Sequence, residues 1–116
     1  MSKLLADAGA AVAINYVSNE QATRDTMDAI AAAGGRANVV QGDVARGADI
    51  DRIVAEVEGA LGPVDVLVAH AGAGKRLPIE ETTETDFVDT LQNNLTSAFL
   101  CSQAVLPGMR ERKGAA

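Results

Sequence analysis

The sequence predicts an α/β fold in which a parallel sheet of three strands is flanked by helices. Short apolar runs alternate with amphipathic segments along the whole chain, which is typical of strands joined by helical crossovers. The predicted strands cover residues 11–16, 37–41 and 64–68. The third run, VDVLV, is apolar on both faces, as expected of a strand buried between two layers of helix.

Helices are predicted between and beyond these strands from caps, breakers and apolar spacing. They cover residues 3–8, Ser18 or Asn19 to Ala33, about Asp49 to the breaker pair Gly62-Pro63, and Thr83 or Thr85 toward Arg112. The third has the clearest apolar stripe, formed by Ile50, Ile53, Val54, Val57 and Leu61.

The last helix carries polar residues within an apolar face. That face is predicted to contain Phe87, Leu91, Leu95, Ala98, Ser102 and Val105. Asn94 lies on it, and its neighbours Asn93 and Thr96 are poor helix formers, so we expect a local break in the hydrogen bonding. Pro107 should kink or end the helix. Residues 110–114 are predicted to form a solvated tail.

Composition limits the class of protein. The 116 residues suffice for one domain, and with 3% aromatic residues its core must be built from small aliphatic side chains. A net charge of −6 argues against binding to nucleic acid or anionic membranes. No apolar run approaches the roughly 20 residues of a membrane span. The single Cys101 fits a reducing cytoplasm, and no metal-ligand spacing or phosphate-binding glycine motif is present.

A ligand site is predicted where the strands end. The sequence HAGAG at 70–74 directly follows the third predicted strand, and Asp43 directly follows the second. In open α/β sheets, ligands bind beyond the carboxyl ends of the strands, and small residues let them approach the backbone closely. We therefore expect Asp43, the 70–74 turn and Asn94 to share one rim of the sheet. The alternative for Asp43 is that its side chain only caps a turn.

The other candidate residues also have simpler interpretations. An unsatisfied buried amide costs roughly 1–3 kcal/mol, so Asn94 should have specific partners unless it reaches water at a helix edge. His70 is a possible general base, although a hydrogen-bonding spacer is the favoured interpretation. Cys101 is expected to be a buried, unreactive thiol. Lys75 and Arg76 are better explained as solvated than as anion ligands.

Several segments together resemble the short-chain dehydrogenase/reductase family. Residues 5–16, LADAGAAVAINY, look like the end of the family's first helix and its second strand. Gly42-Asp43-Val44 resembles its adenine-contacting Asp-Val pair, residues 64–72 resemble the D-x-L-V-N-N-A-G stretch, and 94–96 match N-L-T. The resemblance covers nearly the whole chain, in order and at the right spacing.

The resemblance implies a fold and a set of site residues. Residues 1–116 would form an incomplete Rossmann-type NAD(P)-binding domain with a partial, doubly wound parallel sheet. Asp43 and Val44 would hold the adenine, and Asn94 would be the catalytic asparagine of a proton relay. The adenosine and nicotinamide ribose side would be lined by His70, Ala71 and Gly72.

The departures from the family pattern are informative. Ala69 and His70 replace the two asparagines of N-N-A-G, and the chain looks like an internal fragment. The first strand with its glycine-rich loop would precede Met1, and the catalytic serine and Y-x-x-x-K would follow Ala116. The only tyrosine, Tyr16, belongs to a strand and cannot substitute. Without a first strand, the sheet is expected either to leave a gap or to re-pair.

The cofactor type is predicted from the end of the 11–16 strand. NAD-selective sites carry an acid there, whereas this chain has Asn15, Tyr16 and Ser18 and no carboxylate before Glu20. Tyr16 and Ser18 are therefore candidate cofactor residues. We expect NADP(H), with NAD as the alternative.

The resemblance implies an oxidoreductase that moves hydride between this cofactor and a carbonyl or alcohol, for example a 3-oxoacyl thioester. The isolated chain is expected to be inactive. The main alternative is a non-catalytic module that associates, for example as a homo-oligomer, through the helix at 85–109. Epimerisation or dehydration on the same scaffold is a third possibility.

Overall fold

The computed structural model describes residues 1–112, which form a two-stranded parallel sheet with helices around it. In chain order the elements are α1 (Ser2–Asp7), β1 (Ala11–Tyr16), α2 (Glu20–Ala32), β2 (Arg36–Gln41), α3 (Gly47–Leu61), a 3₁₀ turn (Ile79–Glu81), α4 (Glu84–Leu91), a π-helical turn (Gln92–Thr96) and α5 (Ser97–Arg112). Each predicted helix is present within a few residues of its expected bounds.

The N-terminal part is a β1–α2–β2 unit. The two strands pair in register from Ala11 opposite Arg36 to Tyr16 opposite Gln41. Helix α2 begins where predicted, because the side chain of Asn19 accepts a hydrogen bond from the Ala22 N–H at 3.2 Å. Ile30 of this helix is 1% exposed and packs with Ala6 and Val12 in the core.

The prediction of a third strand at Val64–Val68 is wrong for residues 1–112. The sheet there has the order β1–β2, and 64–68 pairs with neither strand. A strand is defined by the hydrogen bonds it makes to a neighbour, and the described residues place no strand beside this segment. Val66 is accordingly 60% exposed and Val68 44% exposed. Of the two outcomes expected for the sheet, re-pairing does not occur within residues 1–112.

The long helix begins with a capping box and contains the predicted break. Thr83 caps α4: its hydroxyl accepts from the Asp86 N–H, and the Asp86 carboxylate accepts from the Thr83 N–H. The π-helical turn at 92–96 confirms the expected interruption in hydrogen bonding. Pro107 lies inside α5, which continues to Arg112, so the proline does not end the helix. Of the predicted tail, 110–112 belong to α5, and Lys113 and Gly114 lie outside the described residues.

The inward face of the long helix differs from the predicted stripe. In α5 the buried residues are Ser97, Val105 and Met109, so only Val105 of the predicted set is buried. Phe87 and Leu95 are at least 60% exposed, because no described segment covers this side of α4. None of the helices in residues 1–112 combines the length and apolarity needed to cross a bilayer.

Candidate cofactor site

Asn94 is joined directly to the turn at 70–74. Its side-chain Nδ2 donates to the Ala73 carbonyl at 2.6 Å and to the Thr90 carbonyl at 2.8 Å. A β-carbon placed on Gly72 would lie 2.5 Å from Asn94 Oδ1, so only glycine allows this approach. The structure therefore brings Asn94 and the turn together, as the sequence predicts. Asn94 is exposed rather than buried, but its amide has the specific partners that were expected.

The π-helical turn explains how Asn94 reaches the turn. The Ser97 N–H donates five residues back, to the Gln92 carbonyl, instead of to Asn93 as in an α-helix. The Asn93 carbonyl that this shift releases accepts a hydrogen bond from the Ser97 hydroxyl at 2.9 Å. Ser97 is 3% exposed and stabilises the irregular turn from within. Sequence reasoning missed this role, although a serine directly after the triplet Asn94-Leu95-Thr96 was the available signal.

An ion pair fixes the far end of the 70–74 turn. Lys75 Nζ lies 2.9 Å from Asp86 Oδ1, and Asp86 is also part of the capping box of α4. The hydrogen bond from Lys75, with those from Thr83, lowers the pKa of Asp86, and the Asp86 carboxylate raises the pKa of Lys75. Lys75 stays largely exposed, as predicted, but it also ties the loop to α4.

Asp43 adopts the turn-capping arrangement that was its alternative interpretation. Its Oδ1 accepts from the Ala45 N–H at 2.9 Å, and its own N–H donates to Asp49 Oδ2 at 3.0 Å. Its second carboxylate oxygen lies 3.7 Å from Arg46 Nε. These contacts fix the direction of the carboxylate. They are compatible with a further contact to a ligand, because a carboxylate has about four acceptor positions.

The chain leaves β2 along a closely packed path. Asn15 Nδ2 donates to the Val40 and Gly42 carbonyls at 3.2 and 3.1 Å. A β-carbon on Gly42 would lie 2.5 Å from Ile53 Cδ1, so glycine is needed where β2 passes α3. Beyond this point lies an open cleft of about 320 Å³, whose lining residues are Val17, Gln41, Gly42, Asp43, Arg46, Asp49 and Arg52.

The remaining candidates are placed as follows. Tyr16 is half-buried and Ser18 exposed, on either side of the cleft residue Val17, and Val44 is half-buried beside Asp43. His70 is exposed, and its backbone N–H donates to the Val68 carbonyl at 3.0 Å. Ala71 is exposed next to it.

Two further predictions concern the rim shared by Asp43 with the 70–74 turn and the burial of Cys101. Among residues 1–112, no hydrogen bond or ion pair joins Asp43 to the 70–74 turn, so their common rim stays a prediction. Cys101 is half-buried, where a buried thiol was expected, and burial raises the pKa of this thiol, which disfavours the reactive thiolate. In the described part of the chain, no three His, Cys, Asp or Glu side chains gather as a metal site would require.

Comparison with known proteins identifies one family. The sequence profile described as short chain dehydrogenase matches residues 1–116. A 3-oxoacyl-(acyl-carrier-protein) reductase of Staphylococcus epidermidis is 35% identical over 112 residues, which are 96% of this chain and 46% of that protein.

Solved structures agree with this match. A double mutant of a short-chain dehydrogenase/reductase from Serratia marcescens superposes with a TM-score of 0.88 at 30% identity, over 93% of this chain and 44% of the other. A blue fluorescent protein from a metagenomic library, solved in complex with NADPH, gives a TM-score of 0.82 at 35% identity, over 92% and 44%. The chain thus spans less than half the length of these relatives.

Proposed function

This chain belongs to the short-chain dehydrogenase family, and from that premise we propose that it carries cofactor-binding residues of an NADP(H)-dependent oxidoreductase. The reaction is hydride transfer between the nicotinamide and a carbonyl or alcohol. The observation that carries the proposal is the pair of hydrogen bonds that hold Asn94 against the glycine turn at 70–74. A reducing compartment such as the cytoplasm is part of the proposal, as the default that the single Cys101 leaves open.

The fixed orientation of the Asn94 side-chain amide suits a role in proton transfer. Asn94 Nδ2 donates to two carbonyls, so both of its hydrogens are engaged and Oδ1 is left as the acceptor. Because two fixed backbone groups set its orientation, Oδ1 can accept from a water or hydroxyl without first becoming ordered. We assign to Asn94 the positioning of such a water, which is the role implied by the family resemblance.

The residues present fit a dinucleotide at two places. In the cleft beyond β1 and β2, the oriented carboxylate of Asp43 can accept from the adenine amino group, with Val44 beside it. At the 70–74 turn, His70, Ala71 and Gly72 are exposed and would line the ribose side of the cofactor. NADP(H) supplies the hydride, and the residues of this chain bind and orient it.

NADP(H) is proposed over NAD because the end of β1 offers no acid. Asn15 uses its amide to hold the exit of β2, and neither Tyr16 nor Ser18 would repel a 2′-phosphate. The relative solved with NADPH supports this choice. The name of the Staphylococcus relative supports 3-oxoacyl thioesters as the substrate class.

The proposal is tested on the purified 116-residue chain. We expect it to bind NADPH weakly in titrations followed by NMR chemical shifts at residues 43–46 and 70–74. We also expect no oxidation of NADPH with a 3-oxoacyl thioester. The reason is that the tyrosine and lysine of Y-x-x-x-K, which the resemblance assigns to catalysis, do not occur in this sequence. Shifts confined to other regions would contradict the cofactor site, and measurable turnover would contradict the expected inactivity.

One observation favours a second function, association through the long helix. Phe87, Leu95 and Phe99 are each at least 60% exposed on this helix, and such a patch is typical of an interaction surface. Light scattering coupled to size exclusion is expected to show a homo-oligomer. Phe87→Asp with Phe99→Asp should give a monomer, and Ile79→Asp is the control because Ile79 is 89% exposed outside the long helix. A wild-type monomer at all concentrations would exclude this function.

A further inference from the structure

We propose that Arg46 is the residue that recognises the 2′-phosphate of the cofactor. This inference rests on the proposed function and deepens it. Along the sequence no arginine lies near 15–18, where dinucleotide-binding domains distinguish the two cofactors. The fold supplies one from another segment, because Arg46 and Val17 line the same cleft. In such domains an arginine near the ribose is the usual means of accepting the additional phosphate.

The second arginine of the cleft is already engaged. The Arg52 guanidinium donates to the Gln41 carbonyl at 2.7 Å and pairs with Glu56 at 2.9 Å. Both contacts hold it along α3, where it braces the end of β2. Arg52 therefore has a structural role in the wall of the cleft.

Unlike Arg52, Arg46 has guanidinium N–H groups that remain available to a ligand. Its one ion pair within residues 1–112 is the 3.7 Å approach of Nε to Asp43, which is beyond hydrogen-bond distance. Its side chain is 77% exposed and makes no capping hydrogen bond at the start of α3. The terminal nitrogens of the guanidinium can therefore bind a phosphate in the bidentate manner that arginine favours.

The neighbouring acids are compatible with this role. Asp49 accepts from the Asp43 N–H, and Asp43 accepts from the Ala45 N–H, so both are held by backbone groups. Asp43 lies on the Nε side of Arg46 and directs the guanidinium without saturating it. A phosphate carrying nearly two negative charges at neutral pH competes well for the remaining donors.

The test compares two small probes on the whole 116-residue chain. Adenosine 5′-monophosphate lacks the 2′-phosphate, and adenosine 2′,5′-bisphosphate contains it. We expect the wild-type chain to bind the bisphosphate roughly tenfold more tightly, as one charge-assisted pair allows. Arg46→Gln should abolish this preference while the affinity for the monophosphate stays the same. Arg46→Lys should retain part of it.

Matched variants separate the inference from its premise. Arg36→Gln removes an exposed arginine at the start of β2, at the opposite end of this strand from the cleft, and it should leave the preference intact. A preference that survives Arg46→Gln, or that Arg52→Gln removes in its place, would overturn the role of Arg46 alone. If the wild-type chain binds neither probe, the proposed cofactor function itself fails.

Discussion

Residues 1–61 and 62–112 have similar sequence patterns but pack very differently. Of the eight buried apolar residues of the described chain, six lie in the first region and only Val105 and Met109 in the second. Of the thirteen large exposed apolar residues, ten lie in the second. The first region contains both strands and the helix between them, so its apolar side chains pack against one another. The second region has apolar segments without such neighbours. Burial thus depends on having a partner as well as on apolar sequence.

The largest expected effect tests whether the first region holds the stability. Ile30→Ala should lower the free energy of unfolding by about 3 kcal/mol, because it removes a side chain that is 1% exposed and leaves a cavity. Ile79→Ala is the matched change in the second region, where the side chain is 89% exposed, and should cost less than about 0.5 kcal/mol. Urea titrations followed by circular dichroism measure both. Equal losses of stability in the two variants would contradict the difference in packing between the two regions.

Two glycines allow a sharper comparison, since each would place a β-carbon 2.5 Å from a neighbour. Gly42→Ala forces the new methyl against Ile53 inside the first region and should cost about 2 kcal/mol in global stability.

Gly72→Ala displaces only the Asn94 side chain and should cost about 1 kcal/mol, with faster amide exchange confined to the 70–75 segment. Gly74→Ala is the control, because its β-carbon would meet Thr90 at an ordinary 3.7 Å. Exchange that accelerates equally in Gly74→Ala would show that the contact with Asn94 is not what holds the turn.

The smallest expected effect is a dependence of local stability on pH in the second region. The pKa of Asp86 is lowered on folding, so its stabilising contribution is present above about pH 4 and is lost as the pH falls through the folded pKa. The pKa of Lys75 is raised, so its contribution is present below about pH 10 and is lost as the pH rises through the folded pKa.

The protection of the amides at residues 73–76, measured as the exchange rate relative to that of an unstructured peptide at the same pH, should therefore be greatest between these limits. Asp86→Asn should remove the acid limb of this profile. Persistence of the acid limb in Asp86→Asn would assign it to another carboxylate.

The elements that sequence predicted best are those fixed by local chemistry. The starts of α2 and α4 were each predicted to within two alternatives, and Asn19 and Thr83 are the caps; the break at 92–96 was foreseen from residues that disfavour a helix. The strand predicted at Val64–Val68 does not form within the described residues, because a ladder needs a second strand and no property of a single segment supplies one.

The site shows the same division between local and distant effects. The contact of Asn94 with the 70–74 turn was expected from the resemblance, and the polar residues near it gave a local signal. The placement of Arg46 in a cleft with Val17 depends on where α3 packs against the sheet, and no spacing along the chain reveals it.

The π-helical turn at 92–96 has a mechanical consequence for the helix that follows. Its extra residue rotates everything downstream by about 100° about the helix axis, since each residue of an α-helix contributes that angle. As a result, Ser97 faces inward at the position where an unbroken α-helix of the same sequence would place Thr96. Deleting one residue between 92 and 96 would restore a regular α-helix and leave Val105 and Met109 facing the interior, whereas an α-helix that kept all five residues would rotate both by about 100° away from it.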